Sequence, residues 1–330
     1  LVGFLSALLL TPLARWVARQ MGVVDQPSSR KVHTTTTPLM GGLAIYGAMA
    51  VALFLFSPQD YQRELLAIGA GATVMALVGL VDDRYGMGFR LKLIMQIVAA
   101  LVVVLAGVVI TLTGQPVIDG AFTVLWIVAL TNAVNFLDNM DGLAAGLTGI
   151  AAGFFFLLAI LEGQGLVATL AAAICGASIG FLIFNFSPAT IFMGDMGSQV
   201  LGFLLAVLAV KLRFDQPFSV STWAVPLLVL GLPVFDITLV IFTRLREGRS
   251  PAEAGKDHTS HRLVQMGFST RNAVLILYGV CIFLGSSALL VNRVEPDVAL
   301  VIVAVVLFLA LLAFIGLEYF RIQQQKAGKL

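Results

Sequence analysis

Four amide and carboxylate residues follow one another at intervals of three in an otherwise apolar chain. They are Asn132, Asn135, Asp138 and Asp141, in a sequence of which only 12% is charged. If this stretch is helical, residues three apart are neighbours, and the four form a polar stripe on one face. A stripe of oxygen atoms suits a hard cation or a polar ligand better than it suits lipid. Helix capping by Asp141 or Asn135 is the alternative interpretation.

Two adjacent carboxylates end an apolar run further upstream. Asp82 and Asp83 are followed by Arg84, by a turn with two glycines, and then by Lys92 at the start of the next apolar run. Adjacent carboxylates disfavour each other's ionised form, so such a pair is commonly found with a cation or acts as a base. The alternative is an ordinary ion pair between one aspartate and Arg84.

A third acidic position lies between glycines at the start of another apolar run. Asp195 stands between Gly194 and Gly197, which predicts a metal ligand with backbone room around it for phosphate oxygens. Its alternative role is that of a helix N-cap. The sequence contains no Walker A, dinucleotide-binding or EF-hand pattern, so phosphate binding would rely on a metal and on basic side chains.

A basic stretch before a glycine pair is the first candidate for anion binding. It contains Arg30, Lys31 and His33, and it ends where a helix is predicted to begin, so that N–H groups point at an anion. Arg30 and Lys31 are equally suited to anchoring the chain at a membrane surface.

A second basic stretch carries the other two histidines of the chain. His258 and His261 share a face if their segment is helical, with Arg262 beside them, and this arrangement suits a diphosphate. Two histidines without a third ligand make a weak zinc site. Upstream of them, Asp236 lies inside an apolar run after Pro233, which we expect to kink the helix, and an intramembrane carboxylate is a functional candidate.

The composition identifies the chain as an all-α, polytopic membrane protein, because 59% of its residues are hydrophobic and they form long uncharged runs. We find no internal repeat and predict one domain over residues 1–330. The chain opens inside an apolar run, so we expect no signal peptide, and the two cysteines in apolar runs predict neither a disulfide nor zinc. About eleven spans are predicted, near 1–16, 39–57, 64–81, 92–112, 121–136, 143–161, 166–184, 198–212, 222–243, 273–291 and 298–317.

The charges predict the orientation of these spans. All but four of the 20 lysines and arginines fall on one side, which is therefore the cytoplasmic side. The C-terminus is then cytoplasmic and the N-terminus outside. The candidate residues fall on the same side, so we expect the active site to be formed by the cytoplasmic loops 17–38, 82–91, 137–142, 185–197 and 244–272.

Together these stretches resemble the polyprenyl-phosphate N-acetylhexosamine-1-phosphate transferase family. The resemblance runs over nearly the whole chain and rests on five ordered motifs: Pro38-Leu-Met-Gly-Gly, Val81-Asp-Asp, Asn132-Ala-Val-Asn-Phe-Leu-Asp-Asn-Met-Asp-Gly, Phe192-Met-Gly-Asp-Met-Gly-Ser and Asp257-His-Thr-Ser-His-Arg. Within the family, the chain is similar to the branch that transfers GlcNAc-1-phosphate. That branch usually has a histidine where Ser260 stands, so the role of this position and the sugar preference are open.

The resemblance implies a membrane enzyme that transfers a sugar-1-phosphate from a UDP-sugar, here UDP-GlcNAc, to undecaprenyl phosphate and releases UMP. Its implied cofactor is Mg²⁺, with Mn²⁺ as the alternative ion. Its implied location is the bacterial inner membrane, as the first membrane step of an envelope polysaccharide such as lipopolysaccharide or teichoic acid. Its implied partners are membrane lipid and, if the protein is a homodimer, a second copy of the chain. No nucleic acid partner is implied.

The resemblance also implies roles for individual residues. The catalytic group would be Asp82, Asp83 and Asp195, with Asp195 and Asp83 at the metal. The implied substrate-binding residues are Lys31, His33, Lys92, Asn132, Asn135, Asp138, Asp141, Phe192, Asp236, His258, His261 and Arg262. The resemblance leaves two mechanisms open, direct displacement and a phospho-enzyme on an aspartate. It also leaves open which of Asp82 and Asp83 is the base.

Two other functions are weighed against this one. The phospho-MurNAc-pentapeptide translocases carry three consecutive histidines followed by Phe-Glu, which the histidine stretch here does not match. An ion-coupled secondary transporter would use Asp236 and the other carboxylates as ion sites. It is disfavoured because the acidic residues cluster at one interface, whereas transporters usually place polar groups near the midplane.

Overall fold

The computed structural model describes residues 1–26, 36–56, 59–214, 220–253 and 255–327. Two compact units divide the chain, Leu1–Arg213 and Phe214–Leu330. Almost all regular structure is helical, apart from one antiparallel pair of short strands, β1 (Val24–Asp25) and β2 (Thr37–Pro38). The all-α prediction is confirmed, whereas the prediction of one domain stays a prediction.

Eight helices build the first unit. They are α1 (Val2–Gln20), α2 (Gly41–Phe56), α3 (Gln62–Tyr85), α4 (Phe89–Leu105), α5 (Pro116–Leu137), α6 (Leu143–Leu161), α7 (Gly165–Asn185) and α8 (Gly194–Lys211). Five helices build the second unit: α9 (Val220–Val229), α10 (Gly231–Arg246), α11 (Thr259–Gln265), α12 (Thr270–Val291) and α13 (Pro296–Lys326).

Each predicted span has a helical counterpart, but fewer helices meet the requirements for crossing a bilayer. Among the described residues, eight helices are long and apolar enough, and a ninth span results if α9 and α10 are counted together. Helices α2 and α4, with 16 and 17 residues, are short for a bilayer about 30 Å thick. The protein is thus a multi-pass membrane protein, while the count of eleven and the orientation stay predictions.

The predicted kink near Pro233 is a break between two helices. Helices α9 and α10 meet at an angle of 72° around Leu230. Pro233 lies in the first turn of α10, where its missing N–H would have no helical partner anyway. A proline at this place starts a helix more readily than it bends one.

Helix α8 is the centre of the first unit. It packs against α2, α3, α5, α6 and α7, and 89% of its span is buried. Apart from Asp195, Gln199 and Lys211, its residues are apolar or small on every side, which is typical of a helix enclosed by other helices. Glycines allow the closest approach: a Cβ on Gly79 of α3 would lie 2.3 Å from the backbone of Met196.

We predict that Gly79→Ala destabilises the protein. The added methyl group would overlap the α8 backbone, which cannot move without displacing its neighbours, and overpacking of this kind costs about 1–3 kcal/mol. Thermal unfolding in detergent measures the effect. Gly69→Ala is the matched control. Gly69 lies on the same helix, and a Cβ there would meet no other atom within 4 Å. Equal melting temperatures of the two variants would contradict the close packing.

Candidate active site

One lysine links carboxylates from two different helices at one end of the first unit. The Nζ atom of Lys92, near the start of α4, lies 2.8 Å from Oδ2 of Asp82 and 2.6 Å from Oδ2 of Asp195. It also lies 3.4 Å from Oδ1 of Asn135, near the end of α5. With Asp83, these residues form what we call the carboxylate–lysine cluster. Its members come from α3, α4, α5 and α8, so the cluster exists only in the folded bundle.

Asp83 binds the beginning of α8. Its two carboxylate oxygens accept hydrogen bonds from the backbone N–H groups of Asp195 and Met196, at 2.8 and 3.2 Å. A carboxylate at a helix N-terminus is favoured because the first N–H groups have no partner inside the helix. Gly194 makes this possible, since its φ is +69° and a Cβ there would lie 2.4 Å from Oδ2 of Asp83. Asp83 thus holds the end of α3 against the start of α8.

Asn135 holds Asp195 from the side of α5. Its Nδ2 donates to Oδ1 of Asp195 at 2.7 Å and to Oγ of Ser198 at 2.8 Å. Asp82 is held from the loop that follows α3, because Oδ1 accepts the backbone N–H of Met87. Asp195 is not an N-cap, since Met193 occupies that position of α8 without a side-chain bond. The ion-pair alternative for Arg84 also fails, because its hydrogen bonds go to the Tyr85 hydroxyl and the Met21 carbonyl.

The predicted four-residue stripe holds only for its first half. Helix α5 ends at Leu137, so Asp138 and Asp141 lie in the turns that follow it. The carboxylate of Asp141 accepts the backbone N–H of Ala189 at 2.9 Å and does not cap α6. Burial, together with the nearby Asp195, Asp83 and Asp141, raises the pKa of Asp138 well above its usual value.

Asn185 is a positioning residue that the sequence analysis did not select. It is 2% exposed, and its side chain accepts the N–H of Gly142 at 3.1 Å and donates to the carbonyl of Ile191 at 3.0 Å. It thereby ties the turns after α5 to the segment before α8. Phe192 follows in that segment, and its backbone bonds to Pro38 and Gly41, each at 2.9 Å. Phe192 is therefore held beside β2 and the start of α2.

The histidine stretch of the second unit is built around Asp236. This carboxylate is completely buried, with Oδ2 at 2.7 Å from Nδ1 of His258 and Oδ1 at 2.7 Å from the backbone N of Thr259. His258 is thus oriented through one ring nitrogen. The His261 ring lies 5.8 Å away, and burial beside His258 lowers the pKa of His261 to about 4. At neutral pH His261 is uncharged and can offer an anion a hydrogen bond but no positive charge.

Arg262 has a different environment from the one predicted. Its guanidinium is completely buried and donates to the carbonyl oxygens of Asp257 and Leu317, both at 2.9 Å, and to the side chain of Thr243. Glu318 of α13 lies 2.8 Å from it. These contacts make Arg262 a brace between the histidine stretch, α10 and α13, and its contact with diphosphate stays a prediction.

Asp257 is the anion shared by three arginines in this unit. Arg244 and Arg249 each lie 3.0 Å from its Oδ2, and Arg321 of α13 lies 2.8 Å from its Oδ1. These partners lower the pKa of Asp257 to about 2 against the opposing effect of burial. The predicted substrate residues Lys31 and His33 lie outside the described residues.

We predict that Asp257→Asn destabilises the protein by about 3 kcal/mol at neutral pH, because three arginines lose their shared anion. The ionised carboxylate stabilises the fold above its unfolded pKa of 3.8, and this contribution is lost as the pH falls towards 2. The difference from the wild type should therefore shrink below about pH 4. Thermal unfolding between pH 7 and pH 3 measures it. Glu253→Gln is the control, since that side chain is 50% exposed, and a constant difference across the pH range would contradict the prediction.

Comparison of the sequence with known proteins identifies its family. The family model described as glycosyl transferase family 4 matches residues 65–213, which include the whole carboxylate–lysine cluster. A probable undecaprenyl-phosphate N-acetylglucosaminyl 1-phosphate transferase of Bacillus subtilis is 34% identical over 323 residues, 95% of this chain and 90% of the relative.

Two further relatives come from other organisms. A decaprenyl-phosphate N-acetylglucosaminephosphotransferase of Mycobacterium tuberculosis is 35% identical over 336 residues, covering 88% of this chain and 83% of the relative. An undecaprenyl-phosphate alpha-N-acetylglucosaminyl 1-phosphate transferase of Escherichia coli is 27% identical over 290 residues, covering 83% of this chain and 78% of the relative. The chain belongs to the family of polyprenyl-phosphate N-acetylhexosamine-1-phosphate transferases.

Proposed function

We propose that this protein transfers GlcNAc-1-phosphate from UDP-GlcNAc to undecaprenyl phosphate and releases UMP, at the cytoplasmic face of the bacterial inner membrane. The names of the relatives support the transferred group and the polyprenyl acceptor. The observation that carries the proposal is the carboxylate–lysine cluster, in which Lys92 joins Asp82 and Asp195 at the end of an apolar bundle. Such a site can serve one substrate from water and one from lipid.

An apolar groove along α4 and α5 supports a lipid acceptor. It has a volume of about 600 Å³ and lies between α4 and α5. Its lining is apolar and includes Leu93, which follows Lys92, and Val128, whose carbonyl accepts the side chain of Asn132 at 2.8 Å. A prenyl chain lying in this groove would bring its phosphate to the level of Lys92.

The reaction requires an oxygen of the lipid phosphate to attack the phosphorus next to the sugar. The new P–O bond joins the lipid to the sugar phosphate, and the broken bond releases UMP with the bridging oxygen. A phosphate monoester has a second pKa near 6 and is largely ionised at neutral pH, so little base catalysis is needed. Catalysis then depends on positioning and on offsetting negative charge, for which Lys92 is placed.

The cluster offers oxygens of the kind that Mg²⁺ prefers. Asp82, Asp195 and Asn135 each have an oxygen within 3.4 Å of Lys92 Nζ, and hard oxygen donors suit Mg²⁺. In the described part of the chain, no group of three or more His, Cys, Asp or Glu side chains is placed to hold a metal ion by itself. Mg²⁺ commonly takes one or two carboxylates and completes its shell with phosphates and water. A bound ion would supply positive charge for the diphosphate, with Asp195 as its main ligand.

The two adjacent aspartates differ in their surroundings. Both oxygens of Asp83 accept backbone N–H groups, whereas Asp82 accepts one backbone N–H, from Met87, and its other oxygen is paired with the side chain of Lys92. We therefore assign Asp82 to the reacting groups and Asp83 to positioning α8. Neither carboxylate is arranged as an unhindered nucleophile, which favours direct displacement over a phospho-enzyme.

We predict that purified protein releases UMP from UDP-GlcNAc only when undecaprenyl phosphate and Mg²⁺ are both present. Asp195→Asn should lower kcat at least 1,000-fold, about 4 kcal/mol, because the proposed Mg²⁺ loses its main ligand and the transition state loses the positive charge of the ion. UMP is measured in detergent solution. Asp60→Asn is the control, since Asp60 is exposed and lies in a separate short helical turn. Near-normal turnover of Asp195→Asn would remove this residue from the site, and release with another UDP-sugar alone would change the donor.

Direct displacement predicts that no phosphorylated protein accumulates. Rapid-quench mixing with UDP-GlcNAc labelled in the phosphate next to the sugar, without undecaprenyl phosphate, should leave the label in the nucleotide sugar. A protein-bound label that hydroxylamine releases would establish an acyl phosphate on an aspartate and overturn the assignment.

A further inference from the structure

One amide side chain contacts two others below the carboxylate–lysine cluster. Gln96 of α4 and Asn132 of α5 exchange hydrogen bonds, at 2.7 Å from Asn132 Nδ2 to Gln96 Oε1 and at 3.3 Å in the other direction. The Nε2 atom of Gln96 also lies 3.4 Å from Oε1 of Gln199 on α8. We call these three residues the amide layer.

The amide layer repeats the cluster one helical turn deeper. Gln96 follows Lys92 by four residues on α4, and Gln199 follows Asp195 by four residues on α8. On α5, which runs the other way, Asn132 precedes Asn135 by three. Residues three or four apart lie on the same helix face, so each of these helices carries one group of the cluster and one amide beneath it.

These amides lie where an unpaired polar group is costly. Gln96 is 1% exposed and Gln199 is 0% exposed. A buried amide is tolerated when it is hydrogen-bonded, so sliding α4 along α5 or α8 would break bonds that no water replaces. The contacts therefore fix the three helices in one register. Asn132, predicted from its family resemblance to bind substrate, takes part in this contact and not in the charged cluster.

Gln96 is the centre of the layer. It takes part in all of the bonds among the three amides, whereas Nε2 of Gln199 is buried without a hydrogen-bond partner among the described residues. Helix α4 packs on α3 and α5, and it reaches α8 through the Lys92–Asp195 and Gln96–Gln199 contacts. Loss of Gln96 would thus remove one of these two contacts and leave Lys92–Asp195 as the other.

We propose that Gln96 is a positioning residue, which holds α4 in register through Asn132 and Gln199 and thereby keeps the Lys92 ammonium between Asp82 and Asp195. This inference rests on the proposed function for its kinetic consequence. Its structural consequence, the protection of Lys92, is independent of any activity.

The chain contains an internal reference for measuring that protection. The side chains of Lys92 and Lys211 are 13% and 14% exposed, and each is ion-paired, Lys211 with Glu64. Treatment of the whole protein in detergent with an N-hydroxysuccinimide ester, in the presence of EDTA, labels lysines at rates that peptide mass spectrometry resolves. In Gln96→Leu, which keeps the side-chain size but removes the amide, the labelling of Lys92 should rise at least fivefold while that of Lys211 is unchanged.

The outcomes separate positioning from general stability. An equal rise at both lysines, or no rise at Lys92, would overturn the proposal. Met95→Leu on the same helix is the matched control and should leave both rates unchanged. If Gln96→Leu does not fold, Gln199→Met replaces it, and a smaller rise confined to Lys92 is expected because only the α8 contact is lost. No rise there would overturn the proposal too.

Kinetics give a second readout. Gln96→Leu should lower kcat for UMP release about tenfold and change KM for UDP-GlcNAc less than twofold, because the misplaced lysine acts mainly in the transition state. An unchanged kcat would contradict the positioning role. Wild-type protein without transferase activity would refute the proposed function, while the labelling pattern would still decide the role of Gln96.

Discussion

The site depends on one ammonium group held among carboxylates inside an apolar bundle. Without Lys92, Asp82 and Asp195 would face each other at one end of helices whose surroundings are mostly hydrocarbon. Two carboxylates that lie 2.8 and 2.6 Å from the same lysine nitrogen would repel each other strongly in a medium of low dielectric constant. The shared cation turns this repulsion into attraction. One ammonium among Asp82, Asp83 and Asp195 leaves the cluster short of positive charge for two anionic substrates, and this is the charge that the proposed Mg²⁺ would add.

The packing of α8 makes that charge arrangement precise enough for chemistry. Close contact at Gly79 fixes its distance from α3, and Asp83 accepts two of its first N–H groups. The amide layer then fixes α4 and α5 relative to α8 one turn below the charges. Each contact joins different helices, so a shift of one helix along its axis would disturb the contacts of several other helices. Rigid surroundings of this kind are what a site that works by positioning requires.

The second unit uses arginine and carboxylate pairs in place of small residues. Asp236 orients His258, while Asp257 and Glu318 take up the guanidinium groups around the histidine stretch. Buried charges are tolerated here because each is paired and hydrogen-bonded. Helix α13 supplies Glu318 and Arg321 near its end, so the last turns of this helix hold residues more than fifty positions earlier in the chain. The neutral state of His261 follows from burial in this network.

The sequence by itself determined the class of the protein, the positions of its apolar helices and the residue types of the site, because hydropathy and polar interruptions are local properties of the chain. It predicted the end of α5 to within one residue, but it did not determine which groups Asp138 and Asp141 contact after that end, or the break at Leu230, since these depend on how the following segments fold. It also did not separate Asp82 from Asp83 or show Arg262 as a brace. Gln96 and Gln199 were visible as polar residues in apolar runs, but only the tertiary structure brings them together, because hydrogen bonds between helices depend on relative register.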